Sequence, residues 1–334
     1  MNHSNISESA SALHRKALVL DMTMPMLQGS DLKRFWAALT RMRHSGYSYV
    51  SLTIAADHTG TWETFRNIAL LRTLLARRRW IRFVNKAEDI HRAKADGKLA
   101  VGMNFQGTVP IGRHLKLIRV FYRLGIRHML MAYNTSNLVG FGCHDAVDEG
   151  LTPYGRAVIR EMNRVGMLVD IAHTGYRTSM EAIETSEAPV VISHGNVWAI
   201  HHHPRCYRDD QIRAVAATGG VFGITGFGLF LGSDGASVDQ FVRHVDHVVQ
   251  LVGPKHVGLG SDYVYDMPAF QAYAEAQSEK FPEGGGYHGA NLTQIEIEQV
   301  PEITEGLLRL GYSEHDVLGI LGGNWMRVME QVWR

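Results

Sequence analysis

Two apolar runs of the sequence each end in a histidine. The run "LVDIAH" ends in His173 and the run "VVISH" ends in His194. If the two runs are neighbouring parallel strands, their ends lie about 5 Å apart and both imidazoles can reach one ion. Neutral imidazole suits zinc and similar metals. One such histidine alone is more typical of a structural side chain, whereas two at matching strand ends favour a metal site.

Other polar residues follow apolar runs in the same way. Asp262 ends "VGLGSD", Gln106 follows "VGMNF", and Tyr133 and Asn134 follow "LMA". A carboxylate beside a metal can act as general base on water, although an aspartate here is also typical of a helix N-cap or a turn. Glutamine is a weak, neutral ligand, so Gln106 is a candidate to complete a metal shell.

Arg205 lies in the polar stretch "HHHPRCYRDD" after the sixth apolar run. An arginine near a strand end can clamp a substrate carboxylate through two parallel hydrogen bonds. Pairing with Asp209 or Asp210 is the alternative. The chemistry of a cysteine or serine hydrolase is not indicated, because neither Cys143 nor Cys206 has a plausible activating context and no Gly-x-Ser-x-Gly motif is present.

The elements that must position these residues alternate along the chain. Eight short, β-like apolar runs are separated by amphipathic helical patterns, among them Ile111–Leu124 and Glu314–Val332. This alternation predicts an α/β protein with a single (β/α)8 TIM barrel, whose active-site groups lie at the carboxyl ends of the strands. A doubly wound open sheet is the alternative, but no Gly-x-Gly-x-x-Gly turn follows the first run. The predicted strands are Ala17–Asp21, Tyr49–Ile54, Leu99–Phe105, Arg127–Ala132, Met167–Ile171, Val190–Ser193, Gly220–Thr225 and His256–Gly260.

The pattern also predicts the domain organisation. Residues 1–16 form an N-terminal extension, and residues 17–333 form one barrel domain with an insertion at about 263–298. The insertion is rich in aromatic residues and glycine, which is compatible with an active-site lid or with an inert loop. A shorter run near 81–84 is expected beside the barrel.

Composition excludes several classes of protein. The chain has 334 residues, 45% hydrophobic residues and a net charge of +1, so no strong field attracts nucleic acid or a membrane surface. Two cysteines do not make a secreted disulfide framework. No apolar stretch is long enough for a signal peptide or for the roughly 20 residues of a membrane span. We therefore expect a cytoplasmic protein with no nucleic-acid or membrane partner. The C-terminal "NWMRVMEQVW" suits packing on the barrel or a homodimer contact, and packing is favoured.

Six stretches together resemble the membrane (renal-type) dipeptidase family, peptidase family M19, among the amidohydrolase-like TIM barrels. The resemblance covers about residues 17–333, and its motifs are ordered and specific. They are "GLTPYGRAVIREMNRVGM", "MLVDIAHTG", "PVVISHGN", "HHPRCYRDDQIRAVAATGGVFGI", "VGLGSDY" and "GILGGNWMRVMEQVW".

The resemblance implies a role for four residues. His173 and His194 match the two histidines that bind the second zinc of the family's binuclear site. Arg205 matches the arginine that holds the dipeptide carboxylate. Asp262 matches the aspartate that handles the catalytic water.

The chain departs from the family pattern at the first zinc. The stretch "VLDMTMPM" places Thr23 and Pro25 where the His-x-Asp pair belongs, just after Asp21. Gln106 replaces the bridging glutamate, and Tyr133 replaces the substrate-binding histidine. Two adjacent dications would have too little negative charge around them to offset their repulsion. The sequence therefore predicts at most one tightly bound zinc, with the other site lost.

The leading hypothesis is a metal-dependent hydrolase that cleaves a dipeptide or small amide with a free carboxylate. Asp262 moves the proton and Arg205 anchors the carboxylate, with Tyr133 and Asn134 as further substrate-binding residues. Asp21 orients the pocket or hydrogen-bonds the water, and Thr23 is also expected in the pocket. One alternative is a different small molecule on the same barrel, such as a lactone, a modified amino acid or a betaine-like metabolite bound by Tyr133, Tyr263 and Tyr265. Another is a non-catalytic protein that retains the fold.

Overall fold

The computed structural model describes residues 6–26, 29–289 and 292–334. Over these residues, eight parallel strands form a nearly closed barrel with helices around it. The predicted (β/α)8 class is therefore confirmed. The strand order around the barrel is β1-β2-β4-β5-β6-β7-β9-β10. These strands are β1 (Val19–Pro25), β2 (Tyr47–Ala56), β4 (Leu99–Gln106), β5 (Ile126–Leu130), β6 (Leu168–Asp170), β7 (Val190–Val197), β9 (Phe222–Ile224) and β10 (Val257–Leu259).

Two further strands lie outside the barrel ring. Strand β3 (Ile81–Phe83) pairs with β4, as expected for the run near 81–84, and β8 (Cys206–Tyr207) pairs with the end of β7. Strand β8 begins directly after Arg205. The pairing of Cys206 in β8 with Asn196 in β7 therefore holds Arg205 next to the carboxyl end of β7.

Helices connect the strands and cover the outer face of the barrel. Seven of the fourteen described helices begin at a side-chain cap or at proline, and the helices pack apolar residues against the barrel. They are α1 (Glu8–Lys16), α2 (Leu32–His44), α3 (Thr61–Ala76), α4 (Glu88–Ala95), α5 (Lys116–Leu124), α6 (Pro153–Val165), α7 (Tyr176–Thr185), α8 (Asp209–Ala217), α9 (Gly228–Leu231), α10 (Val238–Val252), α11 (Met267–Ala276), α12 (Val300–Arg309), α13 (Glu314–Leu318) and α14 (Asn324–Val332).

Several predicted boundaries are wrong. Strand β1 continues to Pro25 and β7 to Val197, each four residues beyond the predicted ends at Asp21 and Ser193. Strand β2 continues two residues beyond Ile54, to Ala56. The predicted helix Ile111–Leu124 is α-helical only from Lys116. The predicted helix Glu314–Val332 is broken at Gly319–Gly323, where Gly322 has a non-helical backbone. A Cβ on Gly322 would lie 2.3 Å from the carbonyl oxygen of Leu18, the residue before β1, so the close packing at this break leaves no room for a side chain.

The N-terminal helix α1 is attached to the barrel domain. Its residue His14 is buried, and the ring bonds to Thr304 of α12 and to the carbonyl of Ser45. The division into an extension of 1–16 and one domain of 17–333 stays a prediction. Within the described part of the chain, no helix combines the length and apolar character needed to cross a bilayer.

The side chain of Asp21 links the first and last strands of the barrel. Its carboxylate accepts hydrogen bonds from the amide and hydroxyl of Ser261, just after β10, and from the amide of Thr23. The carboxyl group is fully buried, and this burial raises its pKa to about 6. Asp21 therefore connects β1 to the segment after β10, next to Asp262.

This raised pKa predicts a pH-dependent stability. The folded-state pKa of Asp21 exceeds the unfolded value of 3.8, so this group destabilises the fold as pH rises from about 4 to above 6, by up to roughly 3 kcal/mol. We expect the free energy of unfolding of Asp21→Asn, relative to that of wild type, to be higher at pH 8 than at pH 4.5. Urea unfolding at the two pH values measures this difference. The exposed Asp234→Asn is the control. A difference that does not change with pH would show that the folded pKa of Asp21 is ordinary.

Candidate active site

His173 and His194 meet at the carboxyl ends of neighbouring strands. His173 lies three residues after β6, and His194 lies within β7. Their Nε2 atoms are 2.8 Å apart, and both side chains are buried. Burial lowers the pKa of each imidazole well below its ordinary value, and the Arg205 charge adds to this. Both rings are therefore neutral at physiological pH.

The Nδ1 atoms of the two histidines are also hydrogen-bonded. Nδ1 of His173 donates to Oδ1 of Asn134 at 2.6 Å, which leaves the lone pair of His173 on Nε2. Nδ1 of His194 bonds to the hydroxyl of Ser193 at 2.8 Å. Outer hydrogen bonds of this kind orient imidazole ligands toward a metal. Asn134 also donates to the carbonyl of Lys280, so it joins His173 to the insertion.

Three non-glycine residues near this site have a left-handed backbone. Asn134, His173 and Asp262 have φ angles of 63°, 62° and 53°, and they are the described non-glycine residues with positive φ. Such backbones cost free energy and persist where surrounding contacts impose them, most often at functional sites. All three follow barrel strands, so the strain is concentrated at one face of the barrel.

Asp262 lies beside the histidine pair. Its Oδ2 atom is 4.0 Å from Nε2 of His194, and 17% of its side chain is exposed. Burial raises the pKa of this carboxyl group to about 7, partly opposed by the Arg205 charge. A carboxyl group with a pKa near neutrality can both accept and return a proton, which is what a general base requires.

Arg205 is a buried cation without a hydrogen-bonded partner. It is 1% exposed, and Nε, Nη1 and Nη2 meet no acceptor at hydrogen-bonding geometry in the described structure, although the Tyr207 hydroxyl lies close enough for each group to shift the pKa of the other. The guanidinium lies over the Phe230 ring, 5.3 Å from its centroid. The alternative of pairing with Asp209 or Asp210 is not observed. A buried guanidinium without an acceptor is costly, and it suits an anionic ligand group.

A small cavity lies beside these side chains, and His194 and Arg205 are not among its lining residues. His173 and Asp262 line it, together with Gln106, Tyr133 and Pro25. The Tyr133 ring stacks on His173, with centroids 4.2 Å apart. Nε2 of Gln106 is buried and unpartnered, so it is free to bond to a ligand. The rest of the wall is apolar: Phe227, Phe230, Val264, Phe270, Phe281 and Tyr287.

The insertion supplies most of that apolar wall. It contains helix α11, and Phe270, Phe281 and Tyr287 pack with Tyr133 and Phe230 over the barrel mouth. The insertion is therefore part of the site, although residues 290 and 291 lie outside the described structure. Two tyrosines expected in the pocket are not among its lining residues: Tyr263 bonds to Glu296 and Arg41, and Tyr265 bonds to Ser30.

Asp57 was missed by the sequence analysis. It follows β2, is 8% exposed, and accepts hydrogen bonds from the amides of Val109 and Tyr133 and from Nδ2 of Asn137. Its carboxylate therefore ties together the loops after β4 and β5 and fixes Tyr133. A Cβ on Gly107 would lie 2.1 Å from Asp57, so only glycine permits this approach. Asp57 was overlooked because β2 was predicted to end at Ile54, which hid the strand-end position.

Comparison with known proteins identifies the family. A family model described as membrane dipeptidase (Peptidase family M19) matches residues 8–273. The chain belongs to the membrane dipeptidase family. Family membership agrees with the resemblance in the sequence motifs.

Curated relatives and solved structures support this assignment. "Uncharacterized dipeptidase C965.12" of Schizosaccharomyces pombe is 30% identical over 71% of this chain and 59% of the relative. "Dipeptidase tcpJ" of Claviceps purpurea is 30% identical over 83% of this chain and 62% of the relative. The chain thus spans about 60% of the length of these relatives. A crystal structure of an amidohydrolase from Pseudomonas aeruginosa is 28% identical, with a TM-score of 0.86 over 97% of this chain and 99% of that one.

The structure shows what surrounds the positions where the resemblance predicts the two zinc ions. Thr23 is fully buried and its hydroxyl donates to the carbonyl of Met22, Pro25 offers no ligand atom, and Gln106 is neutral. These residues do not fit a first zinc. At the second position, the paired Nε2 atoms of His173 and His194, each with an outer hydrogen bond on Nδ1, fit one ion.

The histidine pair is not a complete protein shell. Residues 6–26, 29–289 and 292–334 contain no cluster of three or more histidine, cysteine, aspartate or glutamate side chains placed to hold a metal. Two nitrogens therefore fill only half of a tetrahedral shell, one protein ligand fewer than the three of a typical catalytic zinc site, so water or substrate would have to supply the rest.

Proposed function

We propose that this protein is a hydrolase of the dipeptidase type that works with one zinc ion and cleaves a small amide bearing a free carboxylate. One observation carries the proposal: the buried Arg205 guanidinium lies over the ring of Phe230, and Phe230 lines the same cavity as His173 and as Asp262, whose carboxyl pKa is about 7. This arrangement combines an anion anchor, two metal ligands and a base. A site that had lost catalysis would not need a costly unpaired cation.

The residues of the chain divide the chemistry among them. Arg205 pairs with the substrate carboxylate and so places the adjacent amide near the histidines. Asp262 accepts a proton from the attacking water and returns it to the leaving nitrogen, as its intermediate pKa favours. Nε2 of Gln106 is available to donate to the amide oxygen. The aromatic residues of the insertion exclude bulk water, which strengthens each of these interactions.

His173 and His194 would hold the zinc. When bound, zinc supplies Lewis-acid activation of water and of the amide carbonyl. The related metallo peptidase from Rhodobacter sphaeroides, 20% identical with a TM-score of 0.75, was crystallised with a phosphinate mimic of the dipeptide L-Ala-D-Ala. That ligand supports a substrate of this class, with a carboxylate next to the scissile amide. Because all of these residues belong to one chain, the site is complete in a monomer as well as in a homodimer.

A substrate panel tests the proposal. The zinc-loaded protein should hydrolyse members of a panel of dipeptides and N-acyl amino acids, and Asp262→Asn should lower kcat by about 10²–10⁴-fold because it removes the base. Asp234→Asn, which alters an exposed aspartate, is the control. Wild-type activity in Asp262→Asn would contradict the assigned role of this residue. Hydrolysis of lactones but of no amide would contradict the proposed reaction.

A further inference from the structure

A second cavity opens beside the active site. It has a volume of about 240 Å³ and lies between β2, helix α3 and helix α11. Ile54 and Leu71 form part of its buried apolar wall. Leu32 and Leu70 also line it and are 48% and 58% exposed, so the apolar surface continues to the outside of the protein. We refer to this space as the side pocket.

The side pocket adjoins the active-site cavity. Three residues, Pro25, Gln106 and Tyr133, line both spaces. A ligand with its reacting group at His173 and Asp262 that reached the side pocket would therefore pass between these three side chains. Two of them, Pro25 and Gln106, occupy positions where the family motif has charged metal ligands.

The charges around the side pocket are already paired. Glu63 and Arg66 line it and approach each other to 3.8 Å, and His58 bonds to the hydroxyl of Tyr273 at 2.9 Å. Pro25 and Gln106, which lie between the side pocket and the active site, are uncharged. A carboxylate at either position would disfavour contact with an apolar group of the ligand. The wall thus suits an uncharged, apolar group and not a second charged end.

The volume of the side pocket sets the size of that group. A dry cavity of about 150 Å³ lined by apolar side chains takes up benzene. The side pocket, at about 240 Å³, is larger. It therefore accepts a group bigger than one aromatic ring, such as a medium-length aliphatic acyl chain.

We propose that the substrates of this enzyme are N-acyl amino acids whose apolar acyl chain occupies the side pocket. This inference rests on the proposed function, since it uses the same anchor and the same reacting groups. The carboxylate pairs with Arg205, the amide lies near His173, His194 and Asp262, and the acyl chain extends past Gln106. Water adds to the acyl carbon and the C–N bond breaks, so that N-octanoylglycine and water give octanoate and glycine.

Chain length provides the direct test. N-acetylglycine and N-octanoylglycine share the amide and the carboxylate and differ by six methylenes. Each methylene moved from water to an apolar wall improves binding by about fourfold. If half of that gain is realised, kcat/KM of the zinc-loaded protein should be at least roughly 50-fold higher for N-octanoylglycine.

Three variants locate the effect. Leu70→Asp places a charge at the exposed mouth of the side pocket and should reduce the preference for the octanoyl substrate at least fivefold. Leu74→Trp fills the pocket from a half-buried position and should lower kcat/KM for N-octanoylglycine while leaving N-acetylglycine unchanged. Leu310→Asp is the matched control, because Leu310 is 53% exposed and does not line the pocket.

Binding separates this inference from the proposed function. N-Octanoylglycine binding to the zinc-loaded protein is measured by calorimetry. Binding that Leu70→Asp weakens and Leu310→Asp does not would support the side pocket even if no amide were hydrolysed. Equal kcat/KM for both substrates, or hydrolysis of plain dipeptides without binding of N-octanoylglycine, would overturn the side pocket and leave the hydrolase intact. Neither binding nor hydrolysis would overturn both.

Discussion

Arg205→Met is expected to make the protein more stable and less able to bind its substrate. The guanidinium is 1% exposed and has no hydrogen-bonded acceptor, so the folded state carries a desolvation cost that methionine does not. Removing it should raise the free energy of unfolding by about 1–3 kcal/mol. The same change removes the carboxylate anchor, which should raise KM by roughly 100-fold or more. Thermal unfolding and steady-state kinetics measure the two effects.

Arg208→Met provides the matched control for this prediction. Arg208 lies three residues further along, is exposed, and places its guanidinium over the rings of Tyr176 and Trp198. Its replacement should leave KM unchanged. If Arg205→Met instead lowered stability and preserved KM, the guanidinium would have a structural role, and the proposed substrate orientation would be wrong.

The second large effect is expected at the histidine pair. His173→Ala and His194→Ala each remove one of the two converging nitrogens, so zinc binding should fall from about one equivalent to near zero, and kcat should fall by more than about 10³-fold. Elemental analysis after gel filtration and kinetics with added zinc are the measurements.

Asn134→Ala, which removes the acceptor that orients His173, should weaken zinc binding by about 10–100-fold.

His91→Ala is the control for this pair. His91 is exposed and approaches only Glu330 among the described ion pairs, so its loss should change neither zinc content nor kcat. Binding of two equivalents of zinc by the wild-type protein would contradict the conclusion that Thr23, Pro25 and Gln106 no longer hold a first ion. Full activity in wild-type protein stripped of metal would contradict the role of zinc.

Several features of the site could be predicted from local patterns. In parallel barrels the strand ends meet on one face, so apolar runs ending in His173, His194 and Asp262 indicated that these side chains lie together. The structure places His173 and His194 2.8 Å apart and Asp262 within 4.0 Å of His194. The absence of charge at Thr23, Pro25 and Gln106 was equally visible, because it depends on residue type alone.

Other features depend on contacts between distant parts of the chain. Asp21 was expected to orient the pocket, but it braces Ser261, 240 residues away, and is not among the residues that line the cavity. Asp57 gathers two loops that follow different strands. No local pattern encodes such partners, since they are set by the closure of the barrel.

The sequence by itself determined the alternation of strands and helices, the family, and the residue types available at the strand ends, because these follow from periodicity and from ordered motifs. Only the tertiary structure decided that Arg205 is buried without an acceptor, that the insertion covers the site with Phe270, Phe281 and Tyr287, and that a side pocket adjoins the cavity. The physical reason is that burial and cavities depend on how elements remote in sequence pack against each other. A periodic pattern specifies which face of an element is apolar, but it does not specify what packs against that face.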